Sequence, residues 1–194
     1  MKRGLIAILV VASVSCGELT RQGTASSYLS IETLEAASGA SPGEFGGGLA
    51  SDVVTVVAGT PTVFPDLARV SFALLLKDPG GPGSPTSPSP NNAITVNRYR
   101  VQYIRADGRN TPGVDVPFPF DGAFTVTVFD RASASFTLVR VQAKSEAPLA
   151  ALTNNLTTIS TIAEVTFYGY DQTGREVITT GRVSVNFSNF GDPN

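Results

Sequence analysis

Hydrophobic and polar residues alternate along much of the chain. Tyr99, Val101 and Tyr103 are separated by Arg100 and Gln102; Phe124, Val126 and Val128 by Thr125 and Thr127; Val183, Val185 and Phe187 by Ser184 and Asn186. A period of two sends successive side chains to opposite faces, so each run reads as a strand with one apolar and one wet face. Val70, Phe72, Leu74 and Leu76 share a face, and Ala73 and Leu75 make the opposite face apolar too, as expected of a central strand. Further strands are expected over 28–34, 53–57, 136–141 and 164–170, where Thr and Val are frequent. Residues 170–175, with Gly174 available for positive φ, read as a hairpin turn between two of these runs. One short helix is expected over 149–152, with Pro148 in its first turn.

Three stretches break the alternation. Residues 18–26 are short and polar, suited to a tether, and residues 36–48 (AASGASPGEFGGG) read as a second flexible stretch. Residues 78–92 (DPGGPGSPTSPSPNN) hold five prolines and no apolar side chain, so they contribute nothing to a core and read as a flexible, exposed loop between strands. A Pro-rich docking segment is the alternative there. Many strands, frequent turn signals and almost no helix predict an all-β, antiparallel sandwich of about seven to nine strands. It is expected as one domain over residues 27–190.

The N-terminus follows a different logic. Lys2 and Arg3 precede an unbroken apolar run, residues 5–12, and the only cysteine follows at position 16. A short positive region, an apolar core and a small-residue boundary make a secretory signal, too short to span a bilayer. This segment resembles the signal of bacterial lipoproteins, with Ser15 and Gly17 flanking the cysteine as in a lipobox, though Ser13 stands where Leu is usual. The resemblance implies cleavage after residue 15, acylation of Cys16, a tether over 16–26 and a lipid-anchored place in the cell envelope. Gly17, rather than Asp, leans the expectation towards the outer membrane. An ordinary signal peptide is the plainer alternative, but it would leave a free thiol in an oxidising compartment.

Two further resemblances concern the domain. AEVTFYGYDQTGREVITTGRVSVNF, residues 163–187, resembles the last strand pair of bacterial immunoglobulin-like domains, a strand, a D-x-x-G turn and a strand ending V-x-V. It implies an immunoglobulin-like or fibronectin-III-like sandwich, without the Cys…Trp…Cys of antibody domains. RYRVQYIRADGRNTPGVDVPFPFDG and STIAEVTFYGYDQTGREV resemble stretches of uncharacterised lipoproteins of environmental bacteria. That likeness implies a fold and a location but no activity.

Composition narrows the chemistry. Only 15% of residues are charged, the formal net charge is −2, and the chain has no His and no Trp. With no basic excess, nucleic acid is not an expected partner. Without His, neither a Ser-His-Asp nor a Cys-His constellation can form. A Ser-Lys pair would need Ser three residues before Lys77 or Lys144, where the chain has Leu74 and Val141. Asp107, Asp115, Asp121 and Asp130 are candidates for paired carboxylates, and Asp107, Asn110, Asp115 and Asp121 for a calcium loop. Turn formation accounts for most of them, and no D-x-D-x-D-G spacing is present. No enzyme activity, metal or cofactor is expected.

Arg98, Arg100, Arg105 and Arg109 form the one basic stretch. It reads either as a patch for an anionic glycan, lipid headgroup or protein, or more simply as a wet strand face paired with acids on a neighbour. Tyr28, Tyr99 and Tyr103 are expected in the core, whereas Tyr168 and Tyr170 lie on the face opposite Val165 and Phe167. Arg98, Arg100, Tyr168 and Tyr170 are therefore the candidate interaction surface. The leading expectation is a lipid-anchored envelope protein presenting a non-enzymatic module that binds a protein or glycan partner. A carrier of an apolar ligand and a carbohydrate-binding module are the alternatives.

Overall fold

A computed structural model describes residues 25–191; the expected signal and Cys16 lie outside the described residues. The chain is mostly strand. Twelve strands are numbered in chain order, beginning with β1 (Ser27–Ala37), β2 (Gly48–Asp52), β3 (Thr55–Val57), β4 (Thr60–Thr62), β5 (Asp66–Leu76), β6 (Gly80–Gly81) and β7 (Ser84–Pro85). After them come β8 (Ile94–Ile104), β9 (Phe120–Val128), β10 (Arg131–Val139), β11 (Ile159–Asp171) and β12 (Glu176–Ser188). A single-turn helix α1 (Val141–Ser145) and a 3-10 helix (Leu149–Asn154) follow β10. The second of these matches the helix expected after Pro148. No helix among the described residues is long and apolar enough to cross a membrane.

Two sheets carry the core. A three-stranded sheet has the order β1-β5-β10, and a five-stranded sheet the order β2-β12-β11-β8-β9. Every pairing is antiparallel except β2 with β12, which is parallel. β5 is the centre of its sheet, as its two apolar faces require, although Leu75 on the outer face is 51% exposed.

The inward faces meet through aromatic rings. Phe72 on β5 lies edge-on to Phe167 on β11 at 5.1 Å between centroids, and Tyr99 on β8 packs 4.7 Å from Phe136 on β10. Phe124 stacks on both Tyr99 and Phe136. Such pairs add about 0.5–1.5 kcal/mol beyond the burial of their area.

Tyr99 and Tyr103 are buried, as the alternation requires. Tyr28 is not. It is 57% exposed, with the Lys77 ammonium 4.8 Å above its ring. The inward residues of β1 are Ser27 and Leu29, so Tyr28 falls one position out of phase, and with a period of two that single step reverses the face.

Two other local expectations change. The stretch 36–48, expected to be flexible, gives both ends to strands: Ala36 and Ala37 close β1, and Gly48 opens β2, whose Leu49 and Ser51 are buried against β12. The apolar run 53–57 splits: Val53 is buried, while Val56 and Val57 belong to a small exposed hairpin with β4. The Pro-rich segment is exposed throughout residues 78–91 and carries the two-residue pairing of β6 with β7.

Candidate interaction site

The outer face of the five-stranded sheet gathers the residues expected to form an interaction surface. Its organising feature is an irregularity in β8. Both neighbours skip Asn97: β9 pairs with Val96 and then Arg98, and β11 pairs Tyr168 with Arg98 and Gly169 with Val96. One extra residue in a strand shifts its phase. Ile94 and Val96 point inward before it, and Tyr99, Val101 and Tyr103 after it. Asn97 and Arg98 are consequently adjacent in sequence yet both exposed.

Around that bulge the neighbours supply glycine. A Cβ on Gly169 would lie 2.6 Å from the Thr95 carbonyl oxygen, and one on Gly122 would overlap the ring of Tyr99. Gly122 and Ala123 also line an open depression of about 580 Å³ on the outer side, bordered by Asn97, Arg98, Asp121 and Tyr170.

Arg98 is held in place from two sides. Its guanidinium carbon lies 4.0 Å from the centroid of the Tyr168 ring, and its Nη1 is 3.8 Å from Asp121 Oδ1. Arg100 donates to the other oxygen of Asp121 at 2.7 Å. At this exposure such an ion pair is worth about 0–1 kcal/mol and the cation–π contact about 0.5–1 kcal/mol, enough to orient the side chains but not to hold the fold. One carboxylate between two guanidinium groups leaves the cluster with a net positive charge. Tyr170, 44% exposed, stands two residues along β11 from Tyr168.

The other candidate residues separate. Arg105 and Arg109 bind Asp107 in the turn after β8, at 2.6 and 3.1 Å. The hydrogen bond from Arg105 holds the Asp107 carboxyl well below the usual carboxylate range. Asn110 accepts from the Arg105 amide, and Asp115 from the Thr111 amide. The four residues weighed as a calcium loop therefore have separate partners, Asp121 being taken by the arginines. No group of three or more His, Cys, Asp or Glu that could hold a metal occurs among the described residues.

Lys144 and Asp66 form a feature that the sequence did not announce. Lys144 Nζ lies 2.9 Å from Asp66 Oδ2 and donates to the Asp52 carbonyl at 2.7 Å. Ser51 Oγ and the Gly39 amide also donate to Asp66. Burial raises the Asp66 pKa, against the opposing pull of Lys144 and these hydrogen bonds. A serine, a carboxylate and an amine are thus assembled, yet all three residues are nearly inaccessible, so a substrate has no route to them. The signal for this pair was weak because 78 positions separate the partners and neither lies in a motif. The signal for Asn97 was present, in the change of inward phase between Val96 and Tyr99.

No family model matches the chain, and neither the search of characterised proteins nor that of solved structures found a match.

Proposed function

We propose that the chain is a lipid-anchored envelope protein whose immunoglobulin-like sandwich is a non-enzymatic recognition module, with the outer face of the five-stranded sheet as its recognition surface. The observation that carries the reading is the cluster at the β8 bulge, where a positive group, an acid, an amide and an exposed phenol border one depression. Recognition surfaces favour Tyr and Arg because each offers a large contact area together with directional hydrogen bonds.

Strand order supports the immunoglobulin-like part. Lettered in chain order, the two sheets read A-B-E and A′-G-F-C-C′, with β2 as A′ and β9 as C′, a partition that such sandwiches share. The charge and apolar run ahead of Cys16 support the anchor. A carbohydrate-binding module is the second reading. It is favoured by the exposed ring of Tyr170 beside Asn97, Arg98 and Asp121, groups that hydrogen-bond sugar hydroxyls.

Two measurements in cells test the proposal. A clickable fatty acid should label the wild type and not Cys16→Ser; equal labelling, or none, overturns the anchor. A photo-crosslinking residue at position 170 should capture a discrete partner, protein or glycan, and Arg98→Ala should abolish the capture. The same residue at position 71, on the outer face of the other sheet, should give nothing. Equal capture from both positions overturns the assignment of the face.

A further inference from the structure

A second site lies where the start of β1 faces the start of β12, one strand across from Tyr168 and Tyr170, which pair with Ile178 and Glu176. It is a pocket of about 200 Å³, below the roughly 300 Å³ at which sites for drug-sized ligands begin. Three chemistries converge on it. Leu29, Val177 and Ile178 give it an apolar lining. Lys77 and Glu176 bring opposite charges to the same space. Ser27, only 2% exposed, lines it with a hydroxyl that has no hydrogen-bond partner among the described residues.

The hydroxyl is the telling group. A buried polar atom left unpaired costs about 1–3 kcal/mol, and in folded proteins the large majority of such atoms are satisfied. β1 could hold an alanine here without losing a bond, since Ala25 already lines the same pocket. An unpaired hydroxyl bordering a space that carries both charges has its partner supplied by whatever fills that space.

We infer that this pocket binds a small zwitterion, a molecule with an ammonium and an anionic group on a short apolar body. Glu176 receives the ammonium, Lys77 the anion, Ser27 donates to the anion, and the apolar body lies on Leu29 and Val177. An aliphatic amino acid and the headgroup of an ethanolamine phospholipid both have this chemistry. The inference does not rest on acylation, and the pocket is a different space from the depression that Tyr170 borders, although Glu176 is the cross-strand partner of Tyr170.

The test is isothermal titration of the full chain carrying Cys16→Ser, with L-leucine in one arm and glycerophosphoethanolamine in the other. Saturable binding of either, tighter than about 1 mM, is expected, and the arm that binds identifies the source. Ser27→Ala should weaken that binding about tenfold, the value of one hydrogen bond to a charged group, while leaving the melting temperature unchanged or higher. Lys77→Gln and Glu176→Gln should each weaken it as well. No binding in either arm overturns the proposal. So does a Ser27→Ala variant that melts lower yet binds with unchanged affinity, because the hydroxyl would then serve the fold alone.

Discussion

Lys144 Nζ sits 2.9 Å from Asp66 Oδ2 where neither side chain is more than 1% exposed, so two charges share one dry site between β5 and α1. A buried pair of this kind resists loss of one partner more than loss of both, because the survivor keeps its desolvation cost without its counter-charge. Lys144→Met alone should destabilise the fold by about 3–5 kcal/mol, whereas Asp66→Leu combined with Lys144→Met should recover only part of that loss, because the Ser51 hydroxyl and the Gly39 amide then lack their acceptor. Urea denaturation of the four members of the cycle measures this directly. A double variant as weak as the worse single one would show that the pair itself holds β5 to α1.

The β11–β12 turn predicts a pH dependence. Burial pushes the Asp171 carboxyl up, but the Thr173 hydroxyl and the amides of Arg175 and Thr173 donate to it and bring it below its ordinary 3.8. A carboxyl depressed by folding contributes stability that is complete above its unfolded value and is lost as pH falls through the folded one. Asp171→Asn should therefore be less stable than wild type near neutrality, by about 1 kcal/mol, with the gap closing below pH ~3.8. Asp66 works in the opposite sense: its raised pKa means that its ionisation erodes stability as pH climbs above 3.8. Unfolding curves at a series of pH values separate the two.

Gly122 has no room for a side chain, since the ring of Tyr99 occupies the position of its Cβ. Gly122→Ala should cost about 1–3 kcal/mol by forcing that ring, or β9, to move. It should also change the near-ultraviolet dichroism of the tyrosine cluster. Gly43→Ala, where nothing lies within 4 Å, is the control and should be neutral or slightly stabilising.

Tyr103 donates to the Leu138 carbonyl at 2.7 Å, and burial pushes its phenol up so that it remains a donor across the working pH range. Tyr103→Phe leaves that buried carbonyl unpaired and should cost about 1–3 kcal/mol in a thermal or urea melt. A loss below a few tenths would mean that water takes over the bond.

Core strands were legible because burial imposes a period of two. Tyr99, Val101 and Tyr103, and likewise Val183, Val185 and Phe187, could be set on inward faces from sequence alone. Edges were not. β2 has two buried positions, Leu49 and Ser51, and owes its existence to a parallel partner in β12 more than a hundred residues away, which no local pattern encodes. Tyr28 shows the weakness of reading a strand from a large apolar residue, since Ser27 beside it takes the inward place. At the proposed interaction surface, the sequence set the side chains of Arg98, Arg100, Tyr168 and Tyr170 on the outer face but not their acid partner. Asp121 looked like a turn former before Gly122, and cross-strand register alone brings it opposite Arg100.

The contacts of Tyr99 and Tyr103 with β10 bear on crowding. The last residues of β10 depart from regular pairing with β5, which skips Leu138, and the carbonyls of Thr137 and Leu138 instead receive the two phenol hydroxyls. An approaching strand from another molecule would find those acceptors already occupied from within. The open part of that edge begins at Arg131, ion-paired with Glu32, and a charged side chain there hinders edge-to-edge pairing. At the end of β10 formed by Thr137 and Leu138, the backbone acceptors that a second chain would need are therefore spent inside the fold.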